Sequence, residues 1–449
     1  MPVPSAPLPV RRSVPGRIRV ISGITVASLA LLFVALAVGS ASARDGLRII
    51  GRDAGPQVVA TAGLYLALSD MDAQVANVLV MGQGYPQQRQ EALARYEEQR
   101  AGANRTLLQA FELSGDNAAE RRTVQSVLDG LGKYERLTGQ ALLLDERSKH
   151  AAGPPPDEVV RTYRQATDLM RLVLLPQAYN LTLESGTIVR RTYDDKAVIV
   201  PLLRIAVVLA GLIALGCLIW LQVFLARRFR RVFGPALLVA TATTAVALAF
   251  GASVLAQDED ALRTAKAAGF DSVLTLAKTR AISNSLQGDQ SRYLLDKERA
   301  DTYEHTYLDK SLSVLYYDAG NLSTYHSAVA GGSKDFLGML GPELVGKKGE
   351  EVLKEYRSFQ AADAAFRRLV ADGQTNEAVA ERLDPVMTAF GSYDRALMAL
   401  AKTHQDVFKR AIDTGEGALD TLWRLLPYVI GAIGLLVIAG VWPRLKEYR

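Results

Sequence analysis

The chain has 449 residues, 49% of them hydrophobic and 22% charged, with a mean hydropathy of +0.08. That composition excludes a low-complexity disordered protein and places part of the length in a membrane. The single cysteine, Cys217, excludes a disulfide framework and a thiolate zinc site, and in its apolar run it reads as a small hydrophobe. The formal net charge is only +5, so the information lies in where the charges fall.

Four apolar runs are long enough to cross a hydrocarbon layer of about 30 Å at 1.5 Å per residue. They are 20–43, 205–226 (with an outer lead-in from 198), 235–256 and 425–442. The tail 1–19 carries Arg11, Arg12, Arg17 and Arg19. The loop 227–234 carries Arg227, Arg228, Arg230 and Arg231, and the tail 443–449 carries Arg444, Lys446 and Arg449 against Glu447. The two long segments lean acidic, with net charges of −1 over 44–197 and −5 over 257–424. Every short basic piece therefore falls on one side of the membrane. The positive-inside rule puts both termini and the Arg loop in the cytoplasm of a bacterial cell, with both long segments outside its plasma membrane.

Along the chain, Ala41-Ser42-Ala43 resembles a signal-peptide cleavage site, but the run before it exceeds the 7–15 residues of a signal core, so an uncleaved anchor is expected. Leu64, Leu68, Met71, Val75, Val78 and Gly82 make a 4-3-4-3-4 stripe, the mark of a helix in a bundle. Further helices are expected over 86–113 and 118–149, with a turn at Gly115-Asp116-Asn117. Pro154-Pro155-Pro156 stops the third helix, and a fourth starts near Asp157 with a kink at Pro176. Together these make an up-down bundle.

Arg204, at the outer end of the second span, reads as a snorkelling side chain. Ala206, Ala210 and Ala214, and again Ala245, Ala249 and Ser253, have the small-residue spacing that permits close helix approach, although alanine is common enough for chance. Gly234-Pro235 opens the third span, and Trp423 and Trp442 bracket the fourth, with Pro427 read in its first turn. The second long segment resembles the first at its ends. Helical patterning runs through Phe270, Leu274, Ala277 and Ala281, and returns from Leu397 to Leu422. Between them, 317–349 is glycine-rich and reads as irregular. Its apolar residues, among them Leu322, Tyr325, Phe336, Leu337, Leu340 and Val345, suggest an ordered, partner-facing element.

The fold class expected is thus an all-α membrane protein: four transmembrane helices and two extracytoplasmic helical-bundle domains resembling four-helix-bundle sensors. Enzymatic motifs are missing. There is no phosphate loop, no H-E-x-x-H, no G-x-S-x-G and no kinase signature. His150, His305, His326 and His404 are scattered without metal-ligand spacing, and His404 reads as a core histidine. The expected cytoplasmic pieces are shorter than the roughly 40 residues a chain needs to fold alone. The expectation is a protein that is not an enzyme, holds no cofactor, metal or nucleic acid, and signals by moving helices that another protein reads.

Candidate contact residues are Arg280, Asn284, Asp289 and Arg292 in one cluster, and Asp363 with its i+4 neighbour Arg367 on an apolar stripe. Both groups read either as ion pairs within the bundle, where an exposed helix pair contributes about 0.2–0.5 kcal/mol, or as contacts to a charged partner or ligand. Arg227, Arg228, Arg230 and Arg231 are the candidates for a cytoplasmic contact, with an acidic partner or with anionic lipid.

Three stretches carry a family resemblance. Leu64-Tyr65-Leu66-Ala67-Leu68-Ser69-Asp70-Met71-Asp72-Ala73 follows the first span. Lys278-Thr279-Arg280-Ala281 and Ser291-Arg292-Tyr293-Leu294-Leu295-Asp296 follow the third. These pieces, and the layout over nearly the whole chain, resemble the GlnX-type membrane proteins of actinobacteria. The resemblance implies a relay. A solute-binding lipoprotein (GlnH) that takes acidic amino acids would dock outside, and a soluble serine/threonine kinase (PknG) would respond inside and adjust nitrogen metabolism. It assigns no contact residues. A structural scaffold for envelope machinery and a sensor that binds its small ligand directly are the alternatives, and a homodimer stays open.

Overall fold

The structure, a computed structural model, describes residues 14–114, 118–229, 234–332 and 337–446. Its regular elements are helical. Among the described residues the only β pairing is an isolated antiparallel bridge between Tyr316 and Leu337. The helices are α1 (Val14–Arg48), α2 (Gly55–Met81), α3 (Pro86–Leu113), α4 (Ala118–Ser148), α5 (Asp157–Leu169), α6 (Leu175–Phe229) and α7 (Pro235–Thr264). They continue as α8 (Asp271–Leu295), α9 (Ala300–Val314), α10 (Leu322–Gly331), α11 (Gly346–Ala371), α12 (Thr375–Glu381) and α13 (Met387–Lys446). Wide π-helical turns join α1 to α2 (Ile49–Ala54), α5 to α6 (Met170–Leu174), α7 to α8 (Ala265–Phe270) and α12 to α13 (Arg382–Val386). Such turns recur at functional sites. Pro176 stands just after the second of them and Pro385 within the fourth, where a missing N–H is tolerated because the ladder is already interrupted.

The chain forms two compact units. The first comprises Met1–Ile50, Arg191–Ala265 and Arg410–Arg449. Among the described residues, four helices long and apolar enough to cross a membrane run through it. Their outward faces carry exposed large apolar side chains, including Val34, Leu209, Val246 and Leu435, the surface a lipid-facing helix needs. Helix α7 is the hub. A Cβ at Gly211 of α6 would strike Leu248, one at Gly251 of α7 would strike Leu36 of α1, and one at Gly440 of α13 would lie 2.6 Å from Leu237 Cγ. Close approach is therefore made through glycines. Of the alanines expected there, Ala210 and Ala214 are buried, but Ala206, Ala245, Ala249 and Ser253 face outward.

Several polar groups in this unit are partnered across helices, whereas the carboxylate of the fully buried Asp258 has no hydrogen-bond partner among the described residues. Gln222 donates to the Leu237 carbonyl at 2.8 Å. Arg204 pairs with Glu259 at 3.0 Å, a more specific role than the snorkelling expected of it. Arg44 reaches Asp420 at 2.9 Å and Lys196 reaches Asp45 at 3.2 Å. Pro427 lies deep inside α13, not in a first turn, because that helix begins forty residues earlier at Met387. Ala41-Ser42-Ala43 lies within α1.

The second unit comprises Gly51–Arg190 and Lys266–Lys409. Helices α3 and α4 follow the boundaries read from the sequence, and α5 starts at Asp157 as read but ends at Leu169, before the kink expected at Pro176; the stripe residues Leu64, Leu68, Met71, Val75 and Val78 are all buried. The Gly115-Asp116-Asn117 turn lies outside the described residues. Burial on α2 goes well beyond one stripe, since every residue from Ala67 to Met81 is buried. Helix α8 is likewise buried from Ser283 to Arg292. Neither stretch has a solvated face, so each needs the other. The two long segments share one core, in which Leu68, Met71 and Leu107 belong with Leu286, Tyr307 and Phe366.

The stretch 317–349 is more regular than its glycines suggested. Asn321 caps α10, its side-chain oxygen accepting from the Thr324 N–H at 2.9 Å, and Gly332 ends the helix at φ +76°. Leu322, Tyr325 and Leu340 turn into the core, whereas Leu337 and Val345 are exposed. Phe336 lies outside the described residues.

Candidate functional site

Two charged clusters lie inside the second unit. The first is centred on Arg292 of α8, which is 2% exposed. Its Nη1 donates to Asp72 Oδ2 at 2.6 Å and its Nη2 to Asp289 Oδ1 at 2.8 Å. Asp72 also accepts from Thr167 at 2.7 Å, Tyr134 at 3.2 Å and Tyr163 at 3.3 Å. Asp289 in turn accepts from Lys310 of α9, whose Nζ also reaches Ser285 Oγ. Two carboxylates and two cations thus alternate and cancel, which is how buried charge is tolerated.

The environment sets the protonation of these groups. Burial pushes the Asp289 carboxyl up, but Lys310, Arg292 and Arg171 outweigh it and hold it below the usual carboxylate range. Burial lowers Lys310 to about 8 despite its Asp289 partner. Burial, with Asp72 close by, pushes the Tyr134 and Tyr163 hydroxyls well up. Both tyrosines are therefore donors at neutral pH.

The second cluster is centred on Asp363 of α11. It accepts from Gln290 at 2.8 Å and from Arg367 Nε at 2.9 Å, and His326 Nε2 stands 3.0 Å away. Arg367 is sandwiched between the rings of Tyr293 and Tyr307, 4.7 Å from each centroid. Burial raises the Asp363 carboxyl, and the Arg367 guanidinium, helped by His326 and Gln290, more than reverses this. Between the clusters, Asn77 accepts from Ser291 at 2.7 Å and from the fully buried Arg382 at 3.0 Å.

Above the first cluster opens a cavity of about 720 Å³. Ala62 and Tyr65 of α2, the turn bearing Arg171, the start of α6, and Lys278, Ile282 and Ser285 of α8 line it, with Lys310 at its floor. Lys278 lies over the Tyr179 ring at 5.1 Å, and Arg171 over Tyr303 at 5.3 Å. A second cavity of about 620 Å³ sits beside Asp363, lined by His326, Arg357, Arg367 and Arg368 among others.

The residues singled out in the sequence are distributed as follows. Asp289 and Arg292 touch, as do Asp363 and Arg367. Arg280 makes a two-point pair with Asp394, at 2.5 and 2.9 Å, and Asn284 donates to the Arg280 carbonyl. Arg227 is exposed near the end of α6 and Arg228 lies within that helix, while Arg230 and Arg231 lie outside the described residues. His404 is half-buried and bonds the Ala268 carbonyl at 2.8 Å through Nδ1, so it reaches the backbone instead of filling a core position. Asp72, Arg171, Lys278, Lys310 and His326 were given no role by sequence reasoning. Asp72 offered a signal, as an acid next to Met71 of the apolar stripe. Arg171, Lys278 and Lys310 come from separate elements and share no motif.

Residues 46–194 match the family model of the actinobacterial sensor domain, a span that runs from the end of α1 through α2–α5 into α6. No curated protein and no solved structure matches the chain. Fold and match together define the class: a helical, multi-pass membrane protein in which residues 46–194 are similar to the actinobacterial sensor domain.

Proposed function

We propose that this protein is a non-enzymatic transmembrane signal transducer, with the helical unit outside the bacterial plasma membrane and both termini in the cytoplasm. The match of residues 46–194 to a sensor domain, on a chain with four helices long and apolar enough to cross a membrane, is the observation that carries this reading. The resemblance to GlnX-type proteins supplies its finer content. A GlnH-like solute-binding lipoprotein reports aspartate or glutamate to the outer unit, and a PknG-like serine/threonine kinase reads the cytoplasmic ends. The basic residues around Arg227 suit an acidic surface or anionic lipid there. A ligand drives such a change only by binding one arrangement of the helices better than the other.

The test is affinity capture of the full-length protein from detergent-solubilised membranes, with and without added glutamate and aspartate, read by mass spectrometry. Recovery of a solute-binding lipoprotein and a kinase, at least one changing with the amino acid, is expected. Recovery of neither from intact protein sinks the relay and leaves the scaffold reading. The cavity above Lys310 favours a second reading, in which the unit binds a small molecule itself.

A further inference from the structure

Pockets of about 300–1,000 Å³ with mostly apolar walls and a few convergent polar groups are where small ligands bind. The cavity of about 720 Å³ is of that kind, with Leu172, Leu175 and Ile282 among its apolar walls. Its charge is one-sided. Arg171, Lys278 and Lys310 line it, and none of its lining residues is acidic. Lys310 is already neutralised by Asp289 beneath it. Among the described residues, neither Arg171 nor Lys278 forms an ion pair. Arg171 donates to the Thr306 hydroxyl, at 3.1 Å, and both cations rest on tyrosine rings. Two half-buried cations that make no direct ion pair, beside an apolar wall, present the complement of an amphipathic anion.

We propose that this cavity is a binding site for a small organic carboxylate with an apolar body, its carboxylate held by Arg171 and Lys278 and its body laid against Leu172, Leu175 and Ile282. The inference rests on the sensing reading of the helical unit. It also connects ligand to core, because the walls come from both long segments and the floor residue Lys310 is bonded to Asp289, hence to Arg292 and Asp72. An anion at the mouth favours the charged form of Lys310 and tightens that chain.

The full-length protein in lipid nanodiscs is dialysed against radiolabelled acetate, hexanoate or 3-phenylpropionate, with neutral 3-phenylpropionamide alongside and empty nanodiscs as blank. Saturable one-to-one binding of hexanoate and 3-phenylpropionate is expected, at least tenfold tighter than acetate or the amide. The double variant Arg171→Met, Lys278→Met loses at least tenfold in affinity for the acids and leaves the amide unchanged. Three results overturn the proposal: no saturable binding of any acid, equal binding of acid and amide, or undiminished acid binding by the double variant. The acid-to-amide ratio is read on the unaltered protein, so the answer does not depend on the variant folding. Partner capture is scored without these acids, so the cavity and the relay fail independently.

Discussion

Arg292 and Asp72 stand 220 residues apart in sequence and 2.6 Å apart in the fold, both almost completely buried. Their bond ties α8 to α2 along the two stretches that have no solvated face. Since the charges come from opposite long segments, the pair fixes the register in which those segments meet.

Removing one partner leaves the other charged and buried. Arg292→Met or Asp72→Asn is expected to destabilise the protein by about 3–5 kcal/mol. The double variant should lose less than the sum, because neither charge is then abandoned. Denaturant unfolding of the purified protein measures this, and strict additivity would refute the coupling.

The acid limb of stability follows from Asp289 and Asp363. Both are held below the usual carboxylate range by their cations, against the opposing effect of burial. A carboxylate with a depressed folded pKa stabilises the fold above its unfolded value and loses that contribution as pH falls through the folded one. Stability should therefore decline below about pH 4. Asp363→Asn should give a shallower decline from a lower starting point. A curve parallel to that of the unaltered protein would show that Asp363 does not set the slope.

Glycine packing around α7 is tested by size. Gly251→Leu drives a side chain into Leu36 and should cost about 1–3 kcal/mol. At Gly216 an added Cβ would meet nothing within 4 Å among the described residues, so Gly216→Ala should stay within about 0.5 kcal/mol. Thermal melts in a fixed detergent compare the two; equal losses would remove the glycine contacts from the account.

Orientation is read by labelling in intact cells. With Cys217→Ser as background, Ser327→Cys, exposed on α10, should react with an impermeant maleimide, and Arg227→Cys only after the membrane is permeabilised. The reverse pattern would overturn the proposed topology.

Much of the fold was legible because its signals are local. Apolar runs marked the spans, Pro154-Pro155-Pro156 marked the end of the third helix, and the Leu64–Val78 stripe marked the first. The sharing of one core was not legible, because one stripe does not say that the opposite face of α2 is buried as well. That face carries Asp70 and Asp72, acids that give no sign of burial in the sequence. Inside the core, Asp70 instead accepts from Gln74 and Asp72 from Arg292, and the second of these partners lies on the other long segment.

For the site, Asp289, Arg292, Asp363 and Arg367 stood out as charges among apolar neighbours. Arg171, Lys278 and Lys310 did not, because only the packing of α6, α8 and α9 brings them to one cavity.

The shared core also sets a timetable for synthesis. Helix α2 leaves the ribosome about 220 residues before the α8 residue it must bind, an interval of about 10–45 s at about 5–20 residues per second. Until then Asp72 has no guanidinium and the face of α2 that packs on α8 has no cover. The early half of this fold therefore stays unfinished until the later half has been made.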